Sequence, residues 1–238
     1  MGIARNLSRD EILDQVVQAN QLLRPEGRRA RNLVFMGMGE PLHNEAGLYQ
    51  ALDVLCDRQH FNYHPGRILI STVGIPDAML RLVHRYPELR MAVSLHSARQ
   101  EVRERIMPVA RRHDLDSLRS AIAEVAAVSG RPVMIEYLLL HELTDRAEDA
   151  RALIDYLREL PVHINLIPYN SIAEAPHLAG SDLSRREEFS RVLKAAGYPV
   201  TMRYSLGADI AAACGQLARE EHRRREAVSN TAPVAISP

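Results

Sequence analysis

The sequence predicts an α/β fold built on a parallel sheet. Two observations carry the prediction. Six short apolar runs alternate along the chain with stretches whose apolar residues recur at helical spacing. Such alternation makes the strands parallel, joined by right-handed helical crossovers. Polar residues also recur at or just past the C-terminal ends of the runs: Glu40, Ser71 and Thr72, Ser94 and His96, Asn170, and Ser205. In a parallel sheet or barrel these ends share one face, where α/β proteins bind ligands. At 238 residues the chain has the length of one barrel-sized domain or two small ones.

The elements follow in order. Ser8 and Glu11 form a capping-box pair, and Ile12, Val16, Val17, Leu22 and Leu23 extend a helix to about Leu23. Leu33 to Met36 is a strand that stops in Gly37-Met38-Gly39-Glu40-Pro41; two glycines there allow close backbone approach to a ligand. Leu48, Leu52 and Leu55 mark a helix with Cys56 near its end. Arg67 to Val73 is a buried strand, and Gly74-Ile75-Pro76 opens a helix through Val83. Met91 to His96 is the next strand, followed by a helical stretch broken at Pro108. Asp116 to Val128 is an amphipathic helix closed by Gly130. Val133 to Leu139 is a strand; a helix lies within Thr144 to Leu160; His163 to Pro168 is a strand running into Tyr169-Asn170. A loop covers residues 171–182, and Ser184 with Glu187 reads as a second capping box for a helix ending near Gly197. Val200 to Tyr204 is the last strand, and Asp209 to Leu217 a short helix. Residues 1–217 form the core, and 218–238 turn polar, as a disordered tail does.

Composition narrows the class. Thirty basic residues balance thirty acidic ones, so no global field announces a nucleic-acid partner. Two cysteines, Cys56 and Cys214, argue against a disulfide framework and fit a reducing cytoplasm. No apolar run reaches membrane-spanning length, and Met1-Gly-Ile-Ala-Arg5 is not a signal peptide.

Single residues leave alternatives open. Ser94 and His96, two apart on one strand, share a face. His96 is a base, a metal ligand or, by default, a hydrogen-bonded structural histidine; no second His or Cys stands at ligand spacing. Glu136 sits between apolar neighbours, either facing the sheet's interior as a ligand group or paired structurally. Asn165 and Asn170 suit a ligand's polar edge or a turn. Cys56 belongs to a helix core. Cys214, in Ala211-Ala-Ala-Cys-Gly-Gln-Leu217, is either an inert buried thiol or a nucleophile that small neighbours leave accessible. Arg103, Arg105, Arg111, Arg112 and Arg223 to Arg225 are candidates for phosphate contacts or plain solvated charges.

Together, Gly37-Met-Gly-Glu-Pro-Leu42, Ile70-Ser-Thr-Val-Gly74, Ser94-Leu-His96, Asn165-Leu-Ile-Pro-Tyr-Asn170 and Asp209-Ile-Ala-Ala-Ala-Cys-Gly-Gln-Leu217 resemble the RlmN/Cfr family of radical S-adenosylmethionine (SAM) methyltransferases. Arg105-Ile-Met-Pro108 and Ile135-Glu-Tyr-Leu-Leu139 also fit, and the resemblance runs from about Gly2 to Leu217. It implies a partial (βα)6 barrel that binds SAM through Gly39, Glu40, Ser71, Ser94, Leu95, His96 and Asn170. It implies that Cys214 carries the methyl group, which one SAM places on its sulfur. A radical from a second, reductively cleaved SAM then activates that methyl for attack on adenine. The target would be C2 of an adenosine in 23S ribosomal RNA, with tRNA as a further substrate; the C8 position is the family's alternative.

The family's Cys-x3-Cys-x2-Cys motif, which holds a [4Fe–4S] cluster fed by an external reductant, is absent, as is its second catalytic cysteine. Gly2 to Ser8 resembles the segment just after the cluster loop, so the first barrel strand and the N-terminal RNA-binding domain are expected to be missing. Three accounts follow: a fragment or mis-started gene, a split protein whose cluster half is separate, or an inactive paralogue that binds SAM or RNA. A general (βα) barrel lyase or isomerase explains the strand-end polar residues but not Ala213-Cys-Gly-Gln-Leu217. Alone, such a chain is expected to be poorly soluble or unstable.

Overall fold

The computed structural model describes residues 5–37, 39–169 and 177–203. Six strands, β1 (Leu33–Phe35), β2 (Ile68–Thr72), β3 (Arg90–Ser94), β4 (Val133–Leu139), β5 (Val162–Pro168) and β6 (Val200–Met202), form one sheet. They lie in sequence order, each parallel to the next. Seven helices accompany them: α1 (Arg9–Leu23), α2 (Glu45–Cys56), α3 (Pro76–Arg85), α4 (Gln100–Ile106), α5 (Leu115–Ser129), α6 (Ala147–Tyr156) and α7 (Leu183–Ala195). Because the strand order never reverses, right-handed crossovers put the helices on one face, as in a barrel rather than a doubly wound sheet.

Alternation along each strand sorts the residues between the faces. Ile70, Met91, Val93, Ile135, Tyr137 and Ile164 point into the helices, where Leu52, Leu82, Ile122 and Leu153 complete the core. Their strand neighbours Ser71, Ser94, Glu136 and Asn165 take the opposite face. There, register places Ser94 beside Glu136 and Glu136 beside Asn165.

The sheet is curled. Beyond β6, Arg203 Nη1 donates to Met36 Sδ, just past β1, at 3.2 Å. In a flat sheet these two edge strands would lie five spacings apart, about 24 Å, well beyond the reach of an arginine side chain. Backbone pairing does not close the ring: β1 pairs only with β2. Along its free edge runs a cavity of about 300 Å³ lined by Leu7, Ile12, Val16, Leu33, Phe35 and Leu48.

Most elements lie where the sequence puts them. Ser8 and Glu11 close their capping box on α1. Gly130 caps α5 in the left-handed conformation, and α4 ends before Pro108, which opens a short 3-10 turn. Two readings are corrected. The cap of α7 is Asp182, whose Oδ1 accepts from Arg185 N at 2.7 Å; Ser184 is already inside the first turn. The carboxylate two residues upstream starts the helix earlier. Strand β3 ends at Ser94, so His96 is not on it. The helix expected at Asp209 to Leu217, the tail from 218, Asn170 and Cys214 lie outside the described residues.

Candidate functional site

The strand ends build the site from three neighbouring loops. After β1, Gly39 takes φ 105°, a conformation that favours glycine, and turns the chain into Glu40. The Glu40 carboxylate caps the following 3-10 turn by accepting from Leu42 N at 2.9 Å. It also reaches the end of β2, where Oε1 accepts from Thr72 Oγ1 at 2.8 Å and Oε2 from Val73 N at 2.7 Å. Glu40 therefore braces two loops, besides presenting a negative charge at the sheet's mouth. Nothing in the sequence links it to Thr72 beyond their both following strands.

On the face away from the helices, Ser71, Ser94 and Glu136 meet. Glu136 Oε2 accepts from Ser71 Oγ at 3.0 Å and from Ser94 Oγ at 3.3 Å. Of the two readings of Glu136, the structure bears out the interior-facing one. No ion pair among the described residues includes it.

Past Ser94 the chain tightens. Leu95 N and His96 N both donate to the Glu136 carbonyl, at 3.0 and 3.2 Å. His96 adopts φ 58°, so the period-two argument that put it on Ser94's face does not reach it. Its Nδ1 accepts from Leu138 N at 3.2 Å. Burial first, then the nearby Arg103 charge, push the imidazole down to about 4, partly opposed by a bond to the Glu136 backbone. At neutral pH His96 is thus uncharged, with Nδ1 committed to the backbone and the ring proton on Nε2. That arrangement fits the structural reading and a neutral donor, not a general base.

Arg103 corrects a sequence reading. It is fully buried, not a surface contact for phosphate. Its guanidinium donates to the carbonyls of Val73 (2.6 Å), Leu95 (3.3 Å) and His113 (3.5 Å). It thereby ties the loops after β2 and β3 to the turn after α4. In an arginine-rich chain no sequence signal separates it from Arg105, Arg111 and Arg112, which are exposed. Arg223 to Arg225 lie outside the described residues.

The described residues do not fit an iron–sulfur cluster. Cys56 is the cysteine among them, half-buried at the end of α2. Burial, with help from Asp53 and Glu88, raises its thiol pKa, which disfavours the thiolate that binds iron. No three His, Cys, Asp or Glu side chains gather into a metal site among the described residues. A SAM-sized ligand with hydrogen-bond donors is different: the mouth offers Glu40 and Glu136, and Glu136 Oε1 is buried without a partner. No helix among the described residues is long and apolar enough to cross a membrane.

Comparison with known proteins agrees with this geometry. A family model of the radical SAM superfamily matches residues 2–157. A protein of Rhodopirellula baltica named a probable RNA methyltransferase is 53% identical over 225 residues, 94% of this chain and 59% of that one. A protein of Chlorobium phaeobacteroides, named a probable dual-specificity RNA methyltransferase RlmN, is 41% identical over 96% of this chain and 64% of its own. The crystal structure of a radical SAM methyltransferase from Sphaerobacter thermophilus superposes with a TM-score of 0.88 at 37% identity, covering 91% of this chain and 63% of that one. The chain thus spans about three-fifths of the length of these relatives.

Proposed function

The chain belongs to the radical SAM superfamily, and from that premise we propose that it is the SAM-binding body of an RNA methyltransferase acting on adenosine C2 in 23S ribosomal RNA, with tRNA as a further substrate. The observation that carries the reading is the similarity, over nearly the whole chain, to proteins named RlmN. The gathered strand ends support it. Gly39 and Glu40 would take the amino group of SAM, since a carboxylate and open backbone carbonyls suit an ammonium. Ser71, Ser94, Leu95 and His96 would flank the rest of the molecule, joined by Asn170. The neutral His96 adds no positive charge against the sulfonium. Cys214 would carry the methyl group. We read the curled sheet as part of a (βα)6 barrel over residues 1–217, with 218–238 as a tail, in a cytoplasmic enzyme.

When bound, an iron–sulfur cluster with its reductant supplies the electron that a radical SAM reaction needs. Three thiolates cannot come from two cysteines, so no step is assigned to it on this chain. That same count favours one second reading, a module that binds SAM or RNA without chemistry.

The test compares RNA from cells carrying the intact gene with RNA from its Cys214→Ala variant. Nucleoside mass analysis is expected to find adenosine methylated at C2 in the first and unmodified adenosine in the second. Methylation retained in Cys214→Ala would refute the carrier role, and modification at C8 would move the target. SAM binding without any methylation would favour the binding module.

A further inference from the structure

We propose that Glu136 is a ligand-holding residue, which forms with Ser71 and Ser94 an acceptor-only subsite for the ribose hydroxyls of SAM. The inference rests on the SAM-binding reading above and adds a residue and a subsite to it.

Glu136 lies in the middle of β4 on the face away from the helices, level with Ser94 on one side and Asn165 on the other. It is 3% exposed. One carboxylate oxygen, Oε2, takes both serine hydroxyls; the other, Oε1, is buried with no partner. A buried carboxylate oxygen without a donor is unfavourable, and a buried carboxylate is ordinarily matched by a cation or a full set of donors. Arg103, the buried cation nearby, donates instead to backbone carbonyls. If the cluster only fastened three strands together, the second oxygen would add cost without function.

The direction of the two hydrogen bonds defines the ligand. A serine hydroxyl has one proton and two lone pairs. Ser71 and Ser94 both give their protons to Glu136, so each turns only lone pairs toward the mouth. Glu136 Oε1, Ser71 Oγ and Ser94 Oγ are then three acceptors side by side. They complement a group that brings donors, as a cis-diol does, and reject one that brings lone pairs alone. Glu40 sits at the ends of β1 and β2, while Glu136 is on β4. Two strand spacings, about 10 Å, separate Thr72's strand from Glu136's. A SAM whose amino group is at Glu40 can therefore present its ribose, rather than that same ammonium, at Glu136.

The test measures equilibrium binding of SAM, 2′-deoxy-SAM and 3′-deoxy-SAM to the 238-residue chain and to its Glu136→Gln variant, with circular dichroism to check the fold. The wild type is expected to bind SAM about tenfold tighter than at least one deoxy analogue, the worth of one good hydrogen bond. In Glu136→Gln, SAM affinity should fall and the preference for the hydroxylated ligand should shrink. A merely structural role would lower affinity for all three ligands alike. The wild-type comparison needs no variant: equal affinity for SAM and both analogues overturns the ribose subsite. SAM binding unchanged in a folded Glu136→Gln overturns the role of Glu136 while leaving the SAM reading intact. No SAM binding by the wild type overturns both.

Discussion

Thr72 donates its hydroxyl proton to Glu40 at 2.8 Å, and in doing so fastens the glycine turn after β1 to the end of β2. Thr72 is itself buried, and its oxygen accepts from Gly74 N at 3.1 Å. The bond is thus one link in a chain running from Leu42 through Glu40 and Thr72 to Gly74. Thr72→Val keeps the shape but removes both hydrogen bonds, and should destabilise the chain by about 1–2 kcal/mol. Glu40→Ala also strips Leu42 N and Val73 N of their acceptor, so it should cost about 2–3 kcal/mol. Urea unfolding would show both as a lower midpoint at unchanged m. Under the proposed function, Glu40→Ala loses SAM binding as well.

The difference between what the residues announce and what they conceal is one of range. Ile68 to Thr72 and Val133 to Leu139 read as strands because both are apolar runs bounded by turn chemistry. Ser8-x-x-Glu11 and Gly130 read as helix ends because caps are local. The mouth's polar residues were legible as a set, since every one follows a strand. Their wiring was not. Glu40 meets Val73 across 33 positions, and Ser71 meets Glu136 across 65. Arg103 looks like its exposed neighbours until the fold encloses it. His96 was misassigned to a strand because Ser94-Leu95-His96 keeps the alternating pattern; the bonds of Leu95 N and His96 N to one carbonyl end the strand there.

His96 makes stability depend on pH in a definite direction. Its folded value is about 4, below the ordinary imidazole value of roughly 6.5 that the unfolded chain keeps. Above that unfolded value neither state binds the proton, and the neutral ring's contribution is fully present. As pH falls below it, the unfolded state takes up a proton that the folded state refuses, and stability declines until about pH 4. The slope is at most about 1.4 kcal/mol per pH unit. Denaturant unfolding between pH 5 and 7.5 should record this decline, and His96→Asn should flatten it.

Arg103→Met should disturb the same residue from the other side. The cation is the second cause of the depressed His96 pKa, after burial. Its removal should raise that pKa part of the way toward the ordinary value, read by NMR titration of the ring. Three carbonyls lose their donor at the same time, with a destabilisation of about 2–4 kcal/mol expected. A His96 pKa that stays put would mean that burial alone sets it.

Gly74 tests the packing behind the same loop. It takes φ 92°, and a Cβ there would stand 2.8 Å from Leu118 Cδ1 on α5 and 3.4 Å from Arg103 Nη2. Gly74→Ala therefore meets both backbone strain and a clash, and should cost about 1–3 kcal/mol. Leu118→Ala in the same chain relieves the clash but not the φ. The double variant should lose less than the sum of the two single losses, measurable as a thermodynamic cycle.

The free edge of β1 predicts how the chain behaves in solution. Val34 is 53% exposed on a strand that pairs on one side only, beside an apolar cavity formed with α1. An unpaired strand edge next to apolar surface is a template for another strand, and proteins commonly blunt such edges with lysine. The 238-residue chain should therefore self-associate with rising concentration, and Val34→Lys should shift it toward monomer without changing its far-UV spectrum. Light scattering coupled to size-exclusion chromatography reads both. Equal association of the two proteins would place the contact elsewhere. The exposed Leu22 and Leu183 are the natural controls, because they lie on helices and have no open backbone to pair.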